Sequence, residues 1–348
     1  MRYQLRGGQV IKFSESKHDP FIDFLKGICI ILVVFTHCLS QNIEYYSGFE
    51  LWGRVAVPIF LIIQVFHIYK HGFEFKLPDF TKLWTRVFRP FLIVQMLIAA
   101  ILLTFNNSVT LSLYFEHILR MGGYGPGEYY PWIYLQFAII APIIAPIFKR
   151  FNLWQLLVFF SVISQASEIL YCLFNTADWP YYSLSFVRYM FLIYLGYILV
   201  TKGIIINRFT IVLSIISLVV TACFCFLPIK YEPFFFTNTQ WKYCHWFCYF
   251  YISYLYLFLL RKIFDKISVC KKMNGWICYI GSISYDIFLF QMFYFVIIQY
   301  GVNKILLCLL PESITTLIFC RIASFFICII MPLLYKKTKD ALTPPFRY

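Results

Sequence analysis

Three ionisable residues share one apolar stretch, Phe21–Ser40 (FIDFLKGICIILVVFTHCLS): Asp23, Lys26 and His37. Lys26 and His37 are eleven residues apart, which at about 100° per residue returns to nearly the same face of a helix. The axial gap is about 16 Å, roughly half the thickness of a bilayer's hydrocarbon core. One stripe (Asp23, Lys26, Ile30, Val33/Val34, His37) thus presents a carboxylate and an ammonium near one end and an imidazole well inside. Ionisable groups at membrane depth are costly, and by default they mark a cavity or pathway. The other reading of the same residues is a lysine that snorkels to the interface and a histidine that bonds between helices.

A second pair of cations sits in Arg86-Val87-Phe88-Arg89-Pro90. Residues three apart share a helix face, and two guanidinium forks suit a pyrophosphate or a sugar phosphate. Taken alone, the pair also reads as topogenic charge at a helix end. With Lys26, the three cations can converge on one mouth of a cavity whose far end holds His37. That geometry fits a long donor with an anionic head, lying along the membrane normal with its reactive tip near the imidazole.

The segment Asn106–Tyr130 closes with GGYGPGEYY, whose glycines and proline forbid a regular helix. It is not a phosphate loop, because no Lys-Ser/Thr follows and Glu128 repels phosphate. Tyr124 and Glu128 can hold a sugar by stacking and hydrogen bonding; a packed re-entrant plug is the alternative.

These residues need a membrane scaffold to position them, and the chain has the composition of one. Its 348 residues are 61% hydrophobic, 22% aromatic and only 13% charged, which excludes an ordinary soluble domain. Apolar runs predict ten spans, at 21–40, 52–70, 88–105, 130–148, 153–174, 185–201, 209–228, 241–260, 276–299 and 313–335. Pro90 leaves the start of the third open, and Pro131, Pro142 and Pro146 predict a kinked or broken fourth. The expected fold is all-α, a polytopic helical bundle forming one transmembrane domain over 1–348, with tails at 1–20 and 336–348 and no appended soluble domain. No cleavable signal peptide is expected, so the first run stays as a span.

Most of the 30 Lys and Arg fall on the odd-numbered ends: the N-terminal tail, 70–89, 149–150, 202–208, 261–272 and the C-terminal tail. Arg54, Arg120, Arg188, Lys230, Lys242, Lys304 and Arg321 lie on the other side. The positive-inside rule then places both termini in the cytoplasm and accounts for the net charge of +14 without nucleic acid. The twelve cysteines are scattered through apolar runs with no Cys-x-x-Cys pair, as small hydrophobes would be. No ligand spacing completes a metal site, and no internal repeat of the transporter kind stands out.

Other polar groups carry weaker expectations. Arg54 can steady an oxyanion at the outer edge of the second span or simply snorkel. Glu168, Asp286, Gln291 and Arg321 line a cavity or pair between helices. His67, His71 and His117 sit at interfaces, and His245 borders an outer mouth or belongs to an aromatic belt.

The ordered set of motifs resembles the membrane-bound acyltransferase 3 family, the O-acyltransferases that modify bacterial glycans. Lys26-x10-His37 after Asp23, Val57-Pro58-Ile59-Phe60 in the second span, Arg86-x-x-Arg89-Pro90, and Gly281-Ser282-Ile283-Ser284-Tyr285-Asp286-Ile287-Phe288-Leu289 carry the likeness. It extends over nearly the whole chain. The chain departs from the pattern at LIIQVFHIYK, where the family usually has Ser-Gly-Tyr, so a helix break is absent or moved there. Gln291 stands where histidine is common. Lys26 replaces the more frequent arginine, keeping the charge and losing the fork.

The resemblance implies a bacterial inner-membrane enzyme that moves an acyl group, usually acetyl from acetyl-CoA, to a hydroxyl of a cell-surface polysaccharide or lipid-linked glycan. Its site residues would be His37 as general base, Asp23 orienting Lys26, and Lys26, Arg86 and Arg89 on the phosphates of coenzyme A. Glu128, Tyr124 and Arg54 would face the acceptor. An imidazole can take the proton of an attacking hydroxyl, or form a transient acyl-imidazole. A thioester is already activated, so no metal is required. The implied partners are an acyl-CoA donor, a glycan or lipid-linked sugar and the bilayer, with no nucleic acid and with a homo-oligomer left open. The rival class is a transporter or flippase for a lipid-linked sugar, which gives no reason for the Lys/His pair beside an Arg-x-x-Arg.

Overall fold

In a computed structural model, residues 2–5, 8–11, 19–39, 53, 55–70, 77–106, 109–174, 184–226, 246–267, 271–298 and 314–342 are described. The first long helix, α1 (Pro20–Cys38), starts where Pro20 occupies the opening position and the Asp19 side chain accepts the Phe21 N–H at 3.0 Å; both are N-terminal signals. α2 (Ala56–Lys70) runs unbroken through LIIQVFHIYK. The third run starts earlier than Pro90 suggests. α3 (Leu77–Leu83) passes through a π turn at Trp84–Phe88 into α4 (Arg89–Phe105), with the Arg89 N–H reaching back to the Trp84 carbonyl. Because Pro90 has no N–H to give, the ladder there is rewound instead of ended.

α5 (Leu111–Met121) is capped by the Thr110 side chain and stopped by Gly122 at φ 97°, a left-handed value that glycine adopts freely. After the glycine loop come α6 (Tyr130–Arg150), α7 (Leu153–Phe174), a 3-10 turn (Phe186–Tyr189) and α8 (Met190–Thr201). α6 is a single helix despite Pro142 and Pro146, and it is tied to α2 by the Tyr69 hydroxyl, which donates to the Ala141 carbonyl at 3.0 Å. The remaining helices are α9 (Arg208–Phe226), α10 (Trp246–Ile267), α11 (Lys271–Ser282), α12 (Ser284–Ile297) and α13 (Ile314–Leu342).

A helix thus lies on each of the expected apolar runs. By length and hydropathy, Pro20–Cys38, Phe80–Phe105, Tyr130–Arg150 and Ile318–Ala341 can each cross a bilayer, and the pair Asn274–Ser282 and Ser284–Ile297, bent by 67°, makes a fifth candidate. Ala56–Lys70, Leu153–Ser167, Phe186–Thr201 and Arg208–Val219 are apolar but shorter. The chain is a multi-pass membrane protein. Three short strands accompany the helices: β1 (Arg2–Leu5), β2 (Gly8–Ile11) and β3 (Ile204–Ile206), antiparallel in the order β1-β2-β3. Gln9 pairs with Ile206 and Ile11 with Ile204, so the N-terminal hairpin docks on the connection between α8 and α9.

α1 is the hub of the core, packed on α2, α10, α11, α12 and α13 through Phe21, Phe24, Leu25, Cys29, Ile30 and Val34. A Cβ on Gly27 would strike the Ile277 backbone, and one on Gly281 the Asp23 carbonyl. With no hydrophobic force between helices in lipid, such close backbone approach supplies dispersion contact. α4 and α13 instead present Met96, Phe105, Phe319 and Tyr335 outward, as lipid-facing helices do. Cys29, Cys38, Cys278, Cys320 and Cys328 are free thiols.

Candidate functional site

The hub helix opens on one side onto a cavity of about 750 Å³. Lys26, Ile30, Val33, Thr36 and His37 all line it, so the stripe inferred from the spacing faces a common space, with the ammonium toward one end of α1 and the imidazole toward the other. The Lys26 ammonium lies 3.9 Å from the Asp23 carboxylate, one turn back along the helix. Asp23 is not itself part of the wall. The His37 ring meets Phe295 edge-on, 6.1 Å between centroids. One residue further on, the Cys38 carbonyl accepts from Arg321 of α13 at 2.9 Å. A cation on the open C-terminal carbonyls of a helix is favourable, so Arg321 pairs between helices and steadies the turn that carries His37.

The two arginines separate. Arg86 lines the cavity and Arg89 does not. A turn closed from residue i to i−5 advances less per residue than an α turn, so positions three apart drift off a shared face. The Tyr285 hydroxyl donates to the Val87 carbonyl at 2.7 Å, tying α12 to the turn that presents Arg86. The break at Ile283 between α11 and α12 also puts Ser282, Ser284 and Tyr285 into the wall, with the N-terminal end of a half-helix beside them.

The glycine loop is both packed and part of the site. Gln95 of α4 clamps it: its Nε2 donates to the Tyr124 carbonyl at 2.9 Å and its Oε1 accepts the Tyr124 N–H at 2.8 Å. Trp132 Nε1 donates to the Gly122 carbonyl at 2.6 Å. Gly125 and Gly127, at φ 106° and 83°, lie where a Cβ would meet Met292 and Phe288. Pinned this way, the loop lays Gly127, Glu128 and Tyr129 along the cavity, and burial pushes the Glu128 carboxyl up to about 7. Tyr124 is not in the wall; its ring stacks between Tyr114 and His117, at 4.9 and 4.0 Å.

Gln64, His67 and Arg188 also line the cavity, and sequence reasoning gave none of them a part in the site. Gln64 and His67 fall on one face of α2 with Val57 and Phe60, a helical spacing that was readable once one member was known to face the cavity. Arg188, only 7% exposed, enters from the 3-10 turn; it had counted as a topogenic charge. Gln291 is fully buried and outside the wall, and Asp286 is exposed, with Lys336 and Lys339 in electrostatic reach. Arg54, His71, His245 and the Glu168 side chain lie outside the described residues. Among the described residues no cluster of His, Cys, Asp and Glu could hold a metal ion.

Chemically, the cavity wall carries three cations, Lys26, Arg86 and Arg188, two imidazoles, His37 and His67, and hydroxyl, amide and carboxyl groups besides. A family model described as an acyltransferase domain matches residues 19–336. No curated protein and no solved structure matches the chain.

Proposed function

We propose, from the premise that the chain belongs to the acyltransferase 3 family over residues 19–336, that it is a membrane O-acyltransferase using acyl-CoA. The acyl group is acetyl in the first instance, and the acceptor is a hydroxyl of a cell-surface polysaccharide or lipid-linked glycan. The observation that carries the reading is the single cavity reached by Lys26 and Arg86 and also by His37 and Glu128. Lys26 and Arg86 meet the phosphates of coenzyme A, helped by the positive end of the α12 half-helix, and His67 on α2 faces the same space. Arg89, exposed and off the wall, attracts the anionic headgroup from outside it. Asp23 holds the Lys26 ammonium in place.

The thioester then lies along the α1 stripe with its carbonyl near His37. His37 accepts the proton of the acceptor hydroxyl as the oxygen attacks the thioester carbonyl. The carbon–sulfur bond breaks, and the coenzyme A thiolate leaves and recovers a proton from the imidazolium. Glu128 orients the sugar from the cavity wall, and Arg54 is the second acceptor-binding residue of this reading. This assignment puts both termini and the Lys26 mouth in the cytoplasm of a bacterial inner membrane crossed ten times. The basic ends support it, as does the pairing of the N-terminal hairpin with the α8–α9 connection.

Membranes carrying the protein, given labelled acetyl-CoA, should leave label on a polysaccharide or lipid-linked sugar. His37→Ala should lower that transfer by at least about 100-fold, the lower end of general-base catalysis, while the protein still inserts. Equal labelling by the variant would remove the imidazole from the chemistry. Glycan export that depends on the protein with no label transferred would favour a flippase.

A further inference from the structure

Gln95 is 3% exposed and sits on the inward stripe of α4 with Phe91, Ile98 and Leu102, while Ile93, Met96 and Leu97 of the same helix face outward. A carboxamide has two donor hydrogens and an oxygen with two lone pairs, and here all four places are used. Nε2 donates to the Tyr124 carbonyl at 2.9 Å and to Met292 Sδ at 3.1 Å. Oε1 accepts from the Tyr124 N–H at 2.8 Å and from the Tyr114 hydroxyl at 3.3 Å, which shares its hydrogen with the Gln95 backbone carbonyl. Methionine would fill the same space and make none of these bonds.

One side chain thus pairs both backbone groups of Tyr124. Backbone without regular structure, packed between membrane helices, persists only where protein satisfies its polar groups. Gly123 makes the approach possible, because a Cβ there would come within 2.8–3.0 Å of the Gln95 amide. The position is then passed along the loop. Gly125 seats on Met292, which Gln95 also holds, and the Glu128 N–H closes a turn on the Gly125 carbonyl at 3.3 Å.

We propose that Gln95 is a positioning residue of the site, which holds Glu128 in the cavity wall by fixing Tyr124 and Met292 against the glycine loop. Gln95 is itself outside the wall, so it acts through Glu128 and touches no substrate. The inference rests on the acyltransferase reading for what Glu128 meets, the acceptor sugar, and adds what keeps that contact in place. Burial pushes the Glu128 carboxyl up to about 7. Without the clamp the loop swings out, and contact with water returns the carboxyl toward the ordinary carboxylate range.

The test uses the full chain in lipid nanodiscs and reads the loop without any substrate. In wild type, the protonated-carboxyl infrared band that vanishes in Glu128→Gln should titrate at about 7. In Gln95→Met it should titrate roughly one pH unit lower or more. Amide hydrogen exchange over residues 122–128 should be about tenfold faster, the size of one lost hydrogen bond. Gly123→Ala breaks the same clamp from the loop side, so it should reproduce both changes, and the double variant should go no further than either alone. Lys26, His37, His67, Arg86 and Arg188 line the same cavity and are common to all these proteins, so the difference band reports Glu128. In transfer assays each variant should raise KM for the glycan acceptor about tenfold and leave KM for acetyl-CoA within about twofold.

Unchanged exchange in the loop would overturn the proposal. So would faster exchange with Glu128 titrating as in wild type, since Gln95 would then brace helices and nothing more. Additive effects of Gln95→Met and Gly123→Ala, or a rise confined to KM for acetyl-CoA, would overturn it as well. A shifted titration in the variants, with no transfer to any glycan by the wild type, would uphold the positioning role and sink the acyltransferase reading, so the two failures are distinct.

Discussion

Arg86 and Arg89 show how far residue-level reading reaches and where it stops. Their spacing promised one shared face, and a π turn takes Arg89 away from the cavity that Arg86 enters. If Arg86 meets the phosphates, Arg86→Ala should raise KM for acetyl-CoA about tenfold, the value of a charge-assisted contact. Arg89→Ala should change it by less than about twofold, as a charge off the cavity wall acting through screened attraction would. Equal losses measured in labelled-donor assays would put both guanidinium groups on the donor. The Lys26-to-His37 stripe, by contrast, was legible from spacing alone, because ionisable residues in an apolar run stand out and an eleven-residue gap fixes their common face. Gln64 and Arg188 were not legible. A lone amide in an apolar run reads as a bond between helices, and an arginine near a span end reads as topology. Gln64 does make such a bond, to the Tyr134 carbonyl at 2.6 Å, and only the packing of α2 and the 3-10 turn around one space shows that both residues also line the cavity.

At the scale of elements, the site depends on how closely α11 lies on α1. Gly27 and Gly281 let the two backbones touch, which sets the break at Ile283, and with it Ser284 and Tyr285, against the Lys26 end of the stripe. Gly281→Val should therefore destabilise the protein by about 3 kcal/mol, at the upper end of overpacking costs, and should be read as a lower apparent Tm in detergent. Gly275→Ala is the control, since nothing lies within 4 Å of a Cβ there; it should leave Tm unchanged. A Gly281→Val protein as stable as wild type would mean that α1 and α11 do not meet as described. The glycine pair was visible in the sequence only as composition. No pattern along one helix says which residue of another will face it, and close approach is a property of two elements at once. The late motif was visible, but its 67° bend was not, because Ser and Ile at the break carry no proline-like signal.

Over the whole molecule, the run of apolar segments gave a helix at every expected place, since hydrophobic length is the strongest signal a membrane protein offers. The small sheet was missed for the opposite reason: β1 and β2 lie in a polar tail and acquire a partner only from β3. Pairing of Gln9 with Ile206 requires both segments on one side of the bilayer, hence an even number of crossings between them. In a background without native cysteines, Gln9→Cys and Ile206→Cys should cross-link, and a membrane-impermeant thiol reagent should reach both from the same face. Labelling from opposite faces would break the proposed ten-span arrangement at its middle. That join also has a timetable. Roughly 190 residues separate β2 from β3, and at a synthesis rate of about 5–20 residues per second the hairpin waits on the order of 10–40 s for its mate. During that interval the first helices are already leaving the ribosome and the tail's strand edges are uncovered, so the nascent chain is most open to chaperones, or to mispairing with a neighbouring copy, well before it could turn over a substrate.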